Sequence, residues 1–456
     1  MDHDPDMAED VSMTSLRKDL EATPQTADSP SHVVPLESVQ RATNDIAIPD
    51  GGLRAWLTVC GGWIVLFCTF GYASSFGVYQ AYYQAAGTST ASNISWIGSF
   101  QLFLMFAMGL PAGKLFDEGF FRHIQASGAF LYVFGLFMLS LADTRKYYQI
   151  FLSQGICLGL GSGLMFVPAL SVQAHHWKRR RALAMGIVPT GSSIGGIVYP
   201  VMLNQLFHSS VGFRWGIRAS AFLSLGLLVI ANCIMSTRLP SARQQRTSSS
   251  GLAQVVTPSI NGILLDRPFM LAVAGTFLVL WGLFFPYFYL QIFISSHGLS
   301  NNLAFYSLSI LNAASILGRT LPNLLADNIG QFNVLVPIST GTGVLLFAIF
   351  GIHDPGGVIV FALLYGFFSG AFVSLVPPTI AVLSRNVSGI GIRMGVGFFL
   401  TSFANLTGTP INGVLLGDTF AWWKPILFSG ITVIAGSSFL LMARQVLSRA
   451  AEKNRL

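Results

Sequence analysis

The chain has 456 residues, 52% of them hydrophobic and only 10% charged, with a mean hydropathy of +0.60. A water-soluble domain carries about a quarter charged residues, so this composition excludes a soluble fold and indicates a polytopic membrane protein. The net charge of +7 is unevenly divided: residues 1–50 hold 11 of the 19 acidic residues and three basic ones, and the remainder has 8 acidic against 23 basic side chains. Spread over many short loops, that basic excess reads as membrane orientation and not as nucleic-acid binding.

Residues 1–50, rich in Asp, Ser, Thr and Pro, show no apolar periodicity and are expected to form a disordered acidic cytoplasmic tail. They lack the basic start and short apolar run of a cleaved signal peptide, so the first apolar span is expected to act as the insertion signal. A spanning helix needs about 20 apolar residues, and the charge-free windows supply twelve. Residues 55–113 hold two, broken by the polar segment 84–95, and 124–142, 147–174, 182–213 and 219–237 hold one each. After a polar linker over 238–267, two lie in 268–326, followed by 328–352, 355–384, 394–417 and 425–443. The expected fold is an all-α integral membrane protein of two six-helix halves, 51–237 and 268–445, with a cytoplasmic tail over 446–456.

With both termini inside, 21 Lys and Arg fall at the cytoplasmic face and five outside: Arg145, Lys146, Arg214, Arg218 and Lys424. That asymmetry supports the assignment. The cluster Lys178–Arg181, running into an uncharged Gly- and Ser-rich stretch, is the sharpest boundary. Asn93-Ile94-Ser95 is a sequon on the expected outside, so Asn93 is either glycosylated or a chance match at the membrane edge. Cys60, Cys68, Cys157 and Cys233 fall in apolar segments and read as packing residues. His175-His176, without Cys or carboxylate partners, reads as a solvated loop and not a metal site. In the fifth span, Gly191 and Gly195 form a small-xxx-small pair suited to close helix contact.

An internal repeat is visible. Asp117 corresponds to Asp327 at an offset of 210, Pro168 to Pro377 at 209, and Met185-Gly186 to Met394-Gly395 at 209. Two parallel halves with a site at their interface are the build of an alternating-access carrier.

These features resemble the major facilitator superfamily. Residues 113–122, GKLFDEGFFR, are similar to its loop motif between spans 2 and 3, with Gly113, Asp117, Gly119 and Arg122 at matching places and Glu118 where the family has a basic residue. ADNIG at 326–330 is the shorter second copy. Within the superfamily the chain resembles the monocarboxylate porter family, particularly its fungal branch. The resemblance rests on Pro49-Asp50-Gly51-Gly52, FGVYQAYY at 76–83, WKRRRALAMGIVPTGSSIGG at 177–196 and Gly318-Arg319, and covers about residues 49–445. It implies a secondary transporter working by alternating access, with Asp117, Arg122 and Asp327 as gating residues.

Arg319 is the one ionisable side chain expected well inside a span, with Ser315 and Asn312 on the same helical face. It either anchors a carboxylate or phenolate, which a guanidinium holds bidentately, or snorkels to the membrane edge and pairs with Asp327. Tyr72, Tyr287 and Asn405 are the further candidates for binding substrate, and an apolar cavity with so few polar groups suits a bulky, flat or partly apolar substrate. Two departures bear on coupling. Lactate-type members carry a Lys in span 1, and none lies between Lys18 and Lys114; they carry an Asp one turn before the Arg, which is Ser315 here. No acid is expected inside a span, which points to a facilitator, or to an exchanger coupled through something else.

The expected function is transport of a small organic acid or metabolite, including export of a secondary metabolite, by a monomeric unit without cofactor. The plasma membrane is the expected site and the vacuolar membrane the alternative. A transporter-fold nutrient sensor is the second reading, though it would call for longer cytoplasmic extensions. An enzyme is excluded by the lack of any intramembrane His, Asp or Ser/His set.

Overall fold

In a bilayer every backbone polar group must be satisfied within the protein, and a helix does this within one segment. In a computed structural model, which describes residues 50–239, 259–384, 389–417 and 419–453, the described residues form helices joined by short connections, with no strand among them. The long helices are α1 (Leu53–Ala85), α2 (Asn93–Asp117), α3 (Phe121–Leu141), α4 (Tyr147–His175), α5 (Arg181–His208), α6 (Gly212–Ile234), α7 (Arg267–Ser296), α8 (Asn301–Ile329), α9 (Gln331–Gly351), α10 (Pro355–Val382), α11 (Ile390–Leu416) and α12 (Trp423–Lys453). Ten of these, all but α8 and α11, are long and apolar enough to cross a membrane. α8 and α11 are as long, at 29 and 27 residues, but bury polar side chains such as Asn312, Arg319 and Asn323 in one and Thr401, Asn405 and Asn412 in the other. Their polarity follows from where they pack, since both face other helices.

Contacts divide the helices by sequence. α1 to α6 pack largely with one another, as do α7 to α12, and the two sets meet chiefly along two seams, α5 on α8 and α2 on α11. Without a hydrophobic driving force between helices in lipid, close backbone approach supplies much of the packing. A Cβ on Gly191 would collide with the Trp63 carbonyl, and one on Gly195 would sit 2.6 Å from the Phe67 carbonyl, so this pair lets α5 lie on α1. Gly113 and Gly391 do the same where α2 meets α11.

α1 and α7 are both interrupted midway. α1 winds through a π turn at Phe67–Gly71 and breaks at Ser74-Ser75, where Ser74 Oγ bonds the Phe70 carbonyl at 3.0 Å. α7 breaks at Phe284, two residues before Pro286, which has no N–H to continue the ladder.

Several sequence expectations are corrected. His175-His176 is not a solvated loop: His176 is buried with Nε2 2.8 Å from the Ser236 carbonyl, and Trp177 is buried edge-on against Trp56 at 5.1 Å. The α4–α5 connection is short, so its aromatic residues fold back beneath the bundle. Arg214 and Arg218 lie inside α6, not in the loop before it, and Arg218 stacks over Trp215 at 4.8 Å. Cys60 and Cys233 are exposed on the helix surface instead of packed inside. Asp50 is bound to the bundle, and α12 continues to Lys453 through most of the expected tail; residues 1–49 and 240–258 of the expected tail and linker lie outside the described residues.

Candidate functional site

Acidic residues are scarce from residue 50 onward, and four of them converge at one end of the bundle. Asp117, buried at the end of α2, accepts the Gly391 and Ile392 amides at 3.0 and 2.7 Å. Asp327, near the end of α8, accepts the Ala182 and Leu183 amides at 2.8 and 2.9 Å. Each carboxylate thus takes two free N–H groups in the first turn of a helix from the other set, where the helix dipole also favours an anion. The repeat seen in the sequence is therefore a repeat of contacts. A second pair of acids supports the same two helix starts: Asp50 accepts the Lys178 and Arg179 amides at 2.5 and 2.6 Å, and Asp266 pairs with Arg393 at 2.7 Å. Sequence reasoning missed the Asp266–Arg393 pair because its members lie in different segments 127 residues apart. Arg122 is exposed and has no hydrogen bond or ion pair among the described residues.

Between the seams lies a small cavity of about 20 Å³. That is room for about one water. Phe70, Phe106, Phe166, Phe284 and Phe398 dominate its wall, and Arg319 and Ser192 are its polar side chains. Arg319 is only 3% exposed. Its Nη1 donates to the Pro189 carbonyl at 2.7 Å and Ser192 Oγ at 2.8 Å, while Nε has no partner. Arg319 does not pair with Asp327, whose oxygens are taken by amides; the one ion pair among the described residues is Arg393–Asp266. The guanidinium is thus a buried cation without a counter-ion, which is costly unless an anion visits it.

Of the other candidates, the structure brings Tyr287 beside Arg319, with its hydroxyl 3.2 Å from Ser369 Oγ. Ser315 and Asn312 lie in the α5–α8 seam: Ser315 Oγ is 2.7 Å from Ser193 Oγ, and the Asn312 carboxamide packs on Gly196. They precede Arg319 along α8, but only the long Arg side chain reaches the cavity. Tyr72 is on the wrong side of α1. Leu66 and Phe70 face the cavity, and a residue two positions on points roughly the opposite way. Its hydroxyl instead bonds the Tyr79 hydroxyl inside the α1–α6 set. Asn405 is 4% exposed with both carboxamide atoms unpartnered, two turns along α11 from Phe398. Asn93 is exposed in the first turn at the start of α2, its Nδ2 2.9 Å from Ser89 Oγ. The five wall phenylalanines were hidden in the sequence among 37.

A sequence model of the Major Facilitator Superfamily matches residues 62–399. The aspyridones efflux protein apdF of Emericella nidulans is 38% identical over 408 residues, covering 89% of this chain and 81% of that protein. The agnestins efflux protein AgnL12 of Paecilomyces divaricatus is 37% identical over 434 residues, covering 94% and 96%. Among solved structures, the transporter FucP of E. coli in its outward conformation matches with a TM-score of 0.65 at 17% identity, over 85% of this chain and 98% of FucP, a likeness of fold. With its helical seams, carboxylate-held helix starts and central cavity, this chain belongs to the Major Facilitator Superfamily and is a membrane transporter.

Proposed function

We propose that this transporter exports a small organic anion of the secondary-metabolite kind by alternating access. The observation that carries the anion is Arg319, a buried guanidinium with no carboxylate partner and a free Nε at the wall of a cavity between the two helix sets. The direction is supported by the efflux relatives, named for aspyridones and agnestins. On this reading α8 and α11 also cross the membrane, making twelve spans in two six-helix halves. Their length and their packing between other helices support that count.

The end bearing Asp117 and Asp327 is cytoplasmic on this reading, in keeping with the Lys and Arg asymmetry. The four amide bonds made by these two acids then hold the cytoplasmic side shut, and the cavity loads from inside once they release. Asp117 and Asp327 are gating residues; Arg122 joins them by resemblance alone. Arg319 and Tyr287 bind substrate, with Asn405 as a further contact deeper along α11. Ser315, Asn312 and Tyr72 act indirectly, by setting how the helices pack. Membership of the monocarboxylate porter family, a monomeric unit and a plasma-membrane site complete the proposal.

The test is directional. Yeast cells expressing the chain and preloaded with a labelled conjugated organic acid lose it faster than cells carrying Arg319→Ala at equal protein level. Net uptake without accelerated loss would refute export, and equal rates in the two strains would remove Arg319 from the site.

A further inference from the structure

We propose that the cavity selects flat, conjugated monoanions, because five phenylalanine rings, mostly tilted or edge-on to one another, form a cage of exchangeable aromatic contacts beside the Arg319 guanidinium. This rests on the anion reading above and adds the shape and π character of the substrate. Phe106, Phe166 and Phe398, from α2, α4 and α11, form a triangle with centroids 5.1, 5.5 and 5.4 Å apart. Phe70 of α1 lies 6.3 and 6.5 Å from Phe106 and Phe166, and 6.5 Å from Phe284 of α7. All fall in the range of attractive aromatic pairs.

In this state the rings fill the space that a substrate would take, which is why so little room remains. A flat conjugated ring entering between them replaces ring–ring contacts with ring–substrate contacts on both of its faces. A saturated ring of the same skeleton is thicker and offers no quadrupole to the phenyl edges, so it recovers less. A sugar or polyol would leave hydroxyls unpaired, since Arg319 and Ser192 are the polar side chains of the wall. One cation without a counter-ion matches one negative charge. The cage also draws on both helix sets, with Phe70, Phe106 and Phe166 from one and Phe284 and Phe398 from the other. A ring held between them therefore favours closure around itself.

The test uses the purified full-length protein and three probes of one carbon skeleton: 2-naphthoate, decahydronaphthalene-2-carboxylate and 2-naphthamide. Equilibrium binding is expected to be about ten-fold tighter for 2-naphthoate than for the saturated acid, the scale of one or two aromatic contacts. Phe166→Leu and Phe398→Leu, which keep an apolar side chain, are expected to shrink that preference. Equal binding of the two acids, an unchanged preference in both variants, or no binding of either acid would each overturn the proposal. 2-Naphthamide binding as tightly as 2-naphthoate would instead remove the anion reading, so the two failures are distinct.

Discussion

Replacing Asp117 and Asp327 by Asn tests what keeps one end of the bundle closed. Each carboxylate accepts two helix-start amides at 2.7–3.0 Å. A charge-assisted bond is roughly twice as strong as a neutral one, and bonds to charged groups contribute about 1.5–3 kcal/mol net. Each amide is taken by a different oxygen, so Asn keeps one bond without the charge and turns the other acceptor into an N–H donor facing an amide. One bond weakens by about 1 kcal/mol, the other is lost, and each substitution is expected to cost the closed state at least about 2 kcal/mol. That is roughly a 30-fold shift toward the open form for one variant, and the square of it for the double variant if the two sites act independently. The readout is maleimide labelling of a cysteine placed at Ala184, which is 3% exposed, in a chain without its four native cysteines. Each single variant is expected to label at least ten-fold faster and the double variant faster still. A double variant that labels at the parent rate would show that these acids do not hold this end shut.

Three further outcomes are expected. Arg319→Lys keeps the charge but loses the planar fork, so it should retain only a minor part of the transport that Arg319→Ala abolishes; full transport by either variant counts against an anchoring role. Gly113→Ala places a methyl against the Gly391 carbonyl, and overpacking of that kind costs about 1–3 kcal/mol; its thermal midpoint and transport should both fall, while Gly226→Ala, with nothing within 4 Å, should be silent. His176 is held below its ordinary value of 6.5, chiefly by burial, with Arg238 adding to the effect and the Ser236 carbonyl opposing it. The folded state therefore binds fewer protons than the unfolded chain, so stability is full above about pH 6.5 and declines as pH falls toward the folded value. Melting curves should show that decline, and His176→Gln should flatten it; a slope unchanged in the variant would assign it to other groups.

Composition and periodicity alone established the class of this protein. A chain with so few charges cannot cover a soluble surface, and its charge-free windows have the length that a bilayer imposes. The offset of about 209 residues was equally legible, because repeated halves keep their punctuation: Asp117 with Asp327, Met185-Gly186 with Met394-Gly395. Arg319 stood out because a lone charge in an apolar helix has few explanations. What the acids do was not legible, since the amides they accept belong to helices far along the chain and only the packed structure brings them together. The same holds for the cavity wall. Whether Phe70 or Tyr72 faces the cavity is decided by the rotation of α1 against α5, which the Gly191 and Gly195 contacts set. One sequence supports either rotation, and only the tertiary packing of the other helices selects between them.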